Sequence, residues 1–201
     1  MFYRFLFVLF ISFNVWAQDS YIDYASPYHP TINQRGMVVS QNIDSSKIGI
    51  EILDMGGNAI DAAVAVGFSL AVTLPRAGNL GGAGFMLVYL KERDEIVAVD
   101  YLGSSPRNSN IQDLFGVKLP RNYEKADRDI VRYGYKASTV PGTVAGLLEA
   151  HANFGRLPLS SVLKPVIEQA RNGIKVSYDL YMALKSSSQL KRDKESRKIF
   201  F

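Results

Sequence analysis

The segment 59–74, AIDAAVAVGFSLAVTL, constrains the fold more than any other part of the sequence. After Asp61 it is apolar on every side, and a helix of that kind is buried in a protein core or lies in a membrane. It is shorter than the roughly 20 residues that cross a bilayer. Asn58 and Pro75 mark its two ends, because Asn caps helix N-termini and Pro cannot continue a helix. The sequence therefore predicts a central helix that packs against a sheet.

The loop after this helix carries the glycines Gly78, Gly81, Gly82 and Gly84. A phosphate-binding loop follows a strand and opens a helix, so that the helix N-terminus faces the anion. Here the loop follows a helix C-terminus and precedes a strand, and the Gly-Lys-Ser/Thr signature is absent. The pattern favours a structural loop, in which glycine permits positive φ angles and close approach of the backbone to its neighbours.

Two apolar runs, 84–90 and 95–101, flank the charged sequence KERDE. This arrangement predicts a β-hairpin and hence an antiparallel sheet. The first run is continuously apolar, which predicts a strand covered on both faces. The polar stretch 103–137 that follows indicates an irregular surface excursion.

Residues 36–42, GMVVSQN, contain a β-branched run that is typical of a buried strand. Asp44 or Ser45 is positioned to cap the next helix, which should end at Gly56 and Gly57.

Three more helices are expected in the second half of the chain. Their boundaries are indicated by Pro near a helix start, Gly after a helix end and Ser at an N-cap. The predicted helices run from Pro141 to Gly155, from Pro165 to Gly173, and onward from the cap Ser177.

The first residues have the features of a secretory signal peptide. Arg4 precedes an apolar run, and Val15 and Ala17 stand at the −3 and −1 positions of a cleavage site. We expect cleavage after Ala17, so that residues 1–17 are removed, 18–35 form an extended lead-in and 36–201 form the folded domain. Export then implies a periplasmic or secreted protein, with no stable membrane span because the run is short.

The composition argues against several classes of protein. There is no cysteine, and the two histidines, His29 and His151, are far apart. Disulfide scaffolds, thiol nucleophiles and His-rich zinc sites are therefore not expected. The formal net charge of +4 is mild and its basic residues are scattered, so nucleic acid is not an expected partner.

The block GGNAIDAAVAVGFSLAVTLPRAGNLGGAGFMLVY, residues 56–89, strongly resembles the N-terminal part of the γ-glutamyltransferases, also called γ-glutamyl transpeptidases or glutathione hydrolases. VDY followed by SSP, then TVPGTVAGL and FGRLPLSSVLKPVIEQARNG, agree with the same family in the same order. The resemblance runs from Gly36 to the last residue. Several ordered blocks are far more specific than a single glycine motif.

The resemblance implies an exported N-terminal-nucleophile (Ntn) hydrolase of the α+β class. Its αββα sandwich places antiparallel sheets between helix layers, and only part of that sandwich would be present here. In the family, a precursor cleaves itself into a large and a small subunit. The threonine freed at the start of the small subunit attacks the γ-glutamyl amide of glutathione, with its own α-amine as the base.

The resemblance implies no metal and no organic cofactor. The expected partners are a small-molecule substrate, glutathione or another γ-glutamyl amide, and the small subunit of the same precursor. No threonine of this chain, Thr139 and Thr143 included, stands in the motif of the nucleophile. No catalytic residue is therefore assigned, and the chain is expected to be an N-terminal fragment of the large subunit that is inactive alone.

A second departure concerns substrate binding. The family usually places an arginine after an Asp-Phe pair, where its forked donors hold the α-carboxylate of the substrate. Here the matching residues are Asp100, Tyr101 and Leu102, and leucine cannot form that ion pair. Arg107 is the nearest substitute and is the one predicted substrate-binding residue. The alternative is that Arg107 is a solvated loop residue, as most arginines are.

Three interpretations of function remain open at this point. The first is a γ-glutamyltransferase or glutathione hydrolase. The second is a related Ntn acylase that cleaves another amide, which Leu102 motivates. The third is a truncated remnant with no function of its own.

Overall fold

The structure, a computed structural model, describes residues 32–109 and 137–201. The predicted signal peptide, most of the lead-in and most of the excursion at 103–137 lie outside the described residues. From Gly36 to Phe201 the described residues belong to one compact unit. In the preceding unit, the backbone N–H of Arg35 donates to Asn33 Oδ1 at 2.8 Å.

Helix α1 (Ile43–Asp54) begins two or three residues earlier than the sequence predicted. Asn42 is its N-cap, and its Oδ1 accepts from the N–H groups of Asp44 and Ser45 at 2.9 and 3.2 Å. The predicted cap at Asp44 or Ser45 is therefore wrong, because the amides of these two residues are themselves the capped donors.

Residues 36–42 do not form the predicted strand. They have no ladder partner in the described part of the chain, and Met37 and Val39 are exposed. The side chain of Val38 instead lies directly against Gly49 of α1. The β-branched run is therefore an extended segment that packs on a helix.

Helix α2 (Ala59–Thr73) is the central helix that the sequence predicted. Asn58 and Asp61 form a capping box, in which each side chain accepts from the backbone of the other. The helix packs against α1 and against two later helices. It ends at Thr73, and Leu74 and Pro75 begin the glycine loop.

The hairpin has the predicted boundaries, with β1 (Gly84–Leu90) antiparallel to β2 (Glu95–Tyr101). Its register pairs Gly84 with Tyr101 and Leu90 with Glu95. Four inner-face side chains join the core that surrounds α2: Met86, Val88, Leu90 and Val99.

The prediction that β1 is covered on both faces is wrong. Side chains alternate across a strand, and the outward set is exposed: Phe85, Leu87, Tyr89 and Ile96. In the described part of the chain the sheet has only two strands, and helices pack on one side of it. Apolar composition alone did not show that one face would remain open.

Helices α3 (Thr143–Phe154) and α4 (Leu159–Asn172) follow. Helix α3 lies between Gly142 and Gly155, close to the predicted boundaries. Helix α4 ends at Gly173 as predicted but begins at Leu159, so that Pro165 lies inside it. Proline costs one helical hydrogen bond there. Val162 and Val166, one turn apart and both buried, hold this part of the helix on the core.

The last part of the chain forms three short helices: α5 (Tyr178–Ser186), α6 (Ser188–Arg192) and α7 (Lys194–Phe200). Ser177 caps α5 as predicted, accepting from the N–H of Leu180 at 3.1 Å. Ser187 and Asp193 interrupt the pattern because each caps a new helix. No helix in the described part of the chain is long and apolar enough to cross a membrane.

A small hydroxyl cluster is buried among α1, α2 and α4. Ser69 Oγ lies 2.7 Å from both Ser45 Oγ and Gln169 Oε1. Ser45 Oγ is also 2.9 Å from Thr73 Oγ1, which donates to the carbonyl of Ser69 at 3.2 Å. The cluster therefore joins the three helices through polar contacts inside an otherwise apolar layer.

Candidate functional site

Three segments meet beyond the end of β2: the glycine loop, the residues after the strand and the start of α3. The carbonyl of Gly82 accepts from the N–H groups of Gly142 and Thr143 at 2.9 and 3.1 Å. The N–H of Val140 donates to the carbonyl of Ser104 at 2.8 Å. Leu102, which stands where the resemblance places an arginine, lies between these two connections.

Tyr101, the half-buried last residue of β2, lies against three glycines, which we call the glycine enclosure. A Cβ at Gly84 would lie 2.7 Å from the outer end of its ring. A Cβ at Gly142 would collide with the Tyr101 carbonyl, and one at Gly146 would collide with the base of the ring. Burial raises the pKa of the Tyr101 hydroxyl above its ordinary value. Close approach between β2 and α3 therefore depends on residues without side chains.

Leu102 follows Tyr101 and projects away from the glycine enclosure, with 57% of its surface exposed. Its N–H donates to Asp100 Oδ1 at 3.0 Å. The next residue, Gly103, approaches the side chain of Thr139 so closely that a Cβ would lie 2.5 Å from Oγ1. An apolar side chain is therefore presented to solvent from a backbone that is held on both sides.

Arg107 lies in an exposed turn beyond this segment. The turn is closed by Ser109, whose N–H and hydroxyl donate to the carbonyl of Pro106 at 2.9 and 2.7 Å. Among the described residues, no carboxylate lies within ion-pair distance of Arg107. Its role as the substitute carboxylate-binding residue stays a prediction.

The glycine loop has the structural role that the sequence indicated. None of its four glycines has a positive φ angle, which among the described glycines occurs at Gly36, Gly56 and Gly173. What the loop needs is space, since Gly82 and Gly84 are in close contact with neighbouring segments. The first amides of α3 donate to the loop itself. The N–H groups of Gly142 and Thr143 are therefore engaged with the glycine loop.

Thr139 and Thr143 both make contacts that hold the backbone around them. Thr143 opens α3 and donates its N–H to the Gly82 carbonyl. Thr139 packs against Gly103. Neither is given a catalytic role by its surroundings.

A second polar cluster was not anticipated from the sequence. Asp61 is fully buried, and its carboxylate accepts from the N–H groups of Asn58, Arg156 and Leu157 at 2.9 to 3.2 Å. Asn58 also donates its side-chain amide to the carbonyl of Phe154 at 2.6 Å. The cluster fastens the start of α2 to the turn between α3 and α4. The signal in sequence was only the acidic first turn of α2.

His151 belongs to this second cluster. Its Nε2 lies 2.9 Å from the Leu157 carbonyl, which can only accept, and 3.5 Å from Asp61 Oδ1. The ring therefore donates through Nε2 and supports the same turn. The contacts of His151 are those of a structural residue.

Two cavities lie away from Leu102 and Arg107. One of about 290 Å³ lies between Pro75 and the helices α5 to α7. The other, of about 390 Å³, lies between the hairpin turn and the start of α2. Within residues 32–109 and 137–201, no group of three or more His, Asp or Glu side chains could hold a metal ion.

Comparisons with known proteins agree with this architecture. The sequence profile of the Gamma-glutamyltranspeptidase family matches residues 45–201. The glutathione hydrolase proenzyme of Escherichia coli K12 is 39% identical over 176 residues, which are 87% of this chain and 29% of that protein. The acylase ACY 1 proenzyme of Pseudomonas sp. strain V22 is 36% identical over 157 residues, 77% of this chain and 28% of that protein.

Among solved structures, Helicobacter pylori γ-glutamyltranspeptidase superimposes with a TM-score of 0.76 at 34% identity, covering 86% of this chain and 48% of that one. The helices and antiparallel hairpin are thus part of an Ntn-hydrolase fold of the α+β class, as the sequence predicted. The chain spans less than a third of the length of the two curated relatives. The sequence profile, the curated relatives and the superposition agree: the chain belongs to the γ-glutamyltranspeptidase family.

Proposed function

We propose that the chain forms the front of the large subunit of a glutathione hydrolase or γ-glutamyltransferase. The complete enzyme would cleave the γ-glutamyl amide of glutathione and pass the γ-glutamyl group to water or an amino acid. The observation that carries this proposal is the continuous family match over residues 45–201, with 39% identity to a glutathione hydrolase proenzyme. The described helices and hairpin supply scaffold, and the small subunit of the same precursor supplies the nucleophile.

The chemistry is nucleophilic catalysis by a threonine on that second subunit. Its α-amine takes the hydroxyl proton, and Oγ adds to the amide carbon. The C–N bond then breaks, the amine leaves with the proton, and the resulting ester is cleaved by water or an amino-acid amine. The present residues would form one wall of the site, at the segment that carries Leu102.

A chimaera tests this proposal. Residues 36–201 would replace the matching segment of the Escherichia coli glutathione hydrolase proenzyme, and self-cleavage and release of p-nitroaniline from γ-glutamyl-p-nitroanilide would be measured. We expect self-cleavage, because the segment supplies the same scaffold. A chimaera that folds but does not cleave itself would support the non-functional remnant instead.

A related acylase is the second candidate function, and Leu102 favours it. A leucine offers no charge to the α-carboxylate of a γ-glutamyl group, whereas an apolar acyl group would contact it directly. One of the relatives is named an acylase. In the chimaera, Leu102→Arg should raise γ-glutamyl-p-nitroanilide hydrolysis at least about tenfold if the missing ion pair limits binding.

Arg107 provides the matched comparison. If Arg107 substitutes for the missing arginine, Arg107→Ala should lower γ-glutamyl hydrolysis in the chimaera and Leu102→Arg should restore it. If Arg107 is a solvated loop residue, Arg107→Ala leaves the KM unchanged. Efficient glutathione hydrolysis by the unmodified chimaera would reject the acylase.

The N-terminal residues support export as a further part of the proposal. Residues 1–17 would direct the chain to the periplasm or the exterior and be removed after Ala17. Expression of the whole chain in a Gram-negative host, followed by N-terminal sequencing of the periplasmic fraction, would give Gln18 as the first residue. Recovery of the chain in the cytoplasm with Met1 intact would contradict this assignment.

A further inference from the structure

The backbone around Leu102 is fixed on both sides, although its own side chain is exposed. On one side stands Tyr101, enclosed by Gly84, Gly142 and Gly146. On the other side, Ser104 pairs with Val140. A fixed backbone that carries an exposed side chain is the arrangement expected of a residue that must contact a ligand in a defined direction.

We propose that Tyr101 is a positioning residue, whose ring, seated in the glycine enclosure between β2 and α3, sets the direction in which residue 102 projects into the substrate site. The substrate part of this inference rests on the proposed function. The positioning part does not rest on the proposed function, because it concerns only how well ordered the backbone of residue 102 is and in which direction its side chain projects.

The ring carries this role, and the hydroxyl contributes little. The Tyr101 hydroxyl donates to the Phe85 carbonyl at 3.4 Å, which is long for an O–H···O hydrogen bond. The three glycines instead meet the ring, the Cβ and the carbonyl of Tyr101. A phenylalanine should therefore do the same work, whereas a residue without a ring should not.

The enclosure connects this residue to the rest of the fold. Gly146 is buried in α3, whose other end is fastened by the cluster around Asp61. Any side chain at Gly146 must displace the base of the Tyr101 ring, since the ring stem cannot move independently of the strand. Gly81 lies in the nearby loop, but a Cβ there would make only ordinary contact with Asn79. Gly81→Ala is therefore the matched control for Gly146→Ala.

Nuclear magnetic resonance relaxation of the whole chain tests the inference without any activity. We expect backbone order parameters of about 0.85 at Leu102 and Gly103 in the wild type and in Tyr101→Phe. Tyr101→Ala and Tyr101→Leu should lower them below about 0.6 while amides of α2 keep their wild-type values. Gly146→Ala should shift the Leu102 resonances, and Gly81→Ala should leave them in place.

An activity measurement then separates positioning from general stability. In the chimaera carrying Leu102→Arg, Tyr101→Leu should raise the KM for γ-glutamyl-p-nitroanilide at least fivefold with little change in kcat, and Tyr101→Phe should match the parent. Unchanged order at Leu102 in both Tyr101→Ala and Tyr101→Leu would overturn the inference. An inactive chimaera with the expected relaxation result would reject the proposed function and leave the positioning role standing.

Discussion

The helical layer, formed by α2 and the helices α1, α3 and α4 that pack against it, is buried to a greater degree than the hairpin, although both contain many apolar residues. In the helical layer, Ile52 and Val64 are fully buried, and every buried side-chain N or O atom among the described residues has a hydrogen-bond partner. On the outer face of the hairpin, Leu87 is 75% exposed. Because burial of apolar surface is what stabilises a fold, we expect the stability of this chain to reside in the helices and in the inner face of the hairpin, with little contribution from the outer face.

The largest effect is expected at Asp61, which fastens the helical layer. Asp61→Ala leaves three partly buried backbone donors without their acceptor. Because each unsatisfied donor costs about 1 to 3 kcal/mol, the substitution should lower the free energy of unfolding by about 3 to 5 kcal/mol in total. Urea unfolding followed by circular dichroism measures this loss. This loss is a large fraction of the roughly 5 to 15 kcal/mol by which folded domains are usually stable.

Asp179→Ala is the matched control, because it also removes a carboxylate from the first turn of a helix. Asp179 forms an exposed ion pair with Arg76, with Nη2 and Oδ2 2.7 Å apart. Exposed pairs contribute about 1 kcal/mol or less. If the two substitutions cost the same, Asp61 does not fasten the helical layer and the contrast between buried and exposed carboxylates fails.

A smaller loss is expected within the buried hydroxyl cluster. Ser69→Ala removes the hydroxyl that meets both Ser45 and Gln169, and should cost about 1 to 3 kcal/mol by urea unfolding. Ser186→Ala removes an exposed helical hydroxyl and should change stability by no more than about 0.5 kcal/mol. Equal effects would mean that water replaces the Ser69 contacts at no cost.

Local signals predicted those parts of the fold whose partners are adjacent in sequence. The Asn58 cap, the boundaries of the hairpin strands and the helix stop at Gly173 follow from residues within one turn or one strand pair. The strand expected at 36–42 failed because a strand needs a ladder partner, which composition cannot supply. The helix start predicted at Pro165 was wrong for a related reason. Burial of the residues next to Pro165 outweighs the hydrogen bond that the proline removes, so the helix begins earlier, at Leu159.

The candidate site could be predicted only in part. The resemblance to the family identified Leu102 as the residue that stands in place of an arginine. The structure brings Leu102 next to the glycine loop and the start of α3. The enclosure of Tyr101 depends on Gly142 and Gly146, which are distant in sequence from the strand they contact. Such long-range fit leaves no periodic signal. The same is true of the contact between Asp61 and the turn after α3.

Adjacent residues of β1 sharpen the comparison further, because they face opposite sides. Leu87→Ser should change the free energy of unfolding by no more than about 0.5 kcal/mol, since its side chain is already in water. Val88, 6% exposed, lies on the inner face, and Val88→Ser should cost more than about 2 kcal/mol. Leu87→Ser should also reduce binding of a dye that recognises exposed apolar surface. A large loss of stability in Leu87→Ser would show that the outer face is covered in solution.

The smallest effect on stability is expected from the hydroxyl group of Tyr101, the residue where the hairpin meets the helical layer. Burial raises its pKa above the value of 10.0 that applies to a free tyrosine. The neutral phenol is therefore favoured in the folded chain. This preference for the neutral phenol adds to the free energy of unfolding. The added stability is fully present below pH 10 and is lost as the pH rises through the folded-state pKa. Urea unfolding between pH 8 and 11 should show this decline in the wild type and a shallower one in Tyr101→Phe. Identical alkaline profiles would place the Tyr101 hydroxyl in water, and the contact between hairpin and helices would then be looser than the glycine enclosure implies.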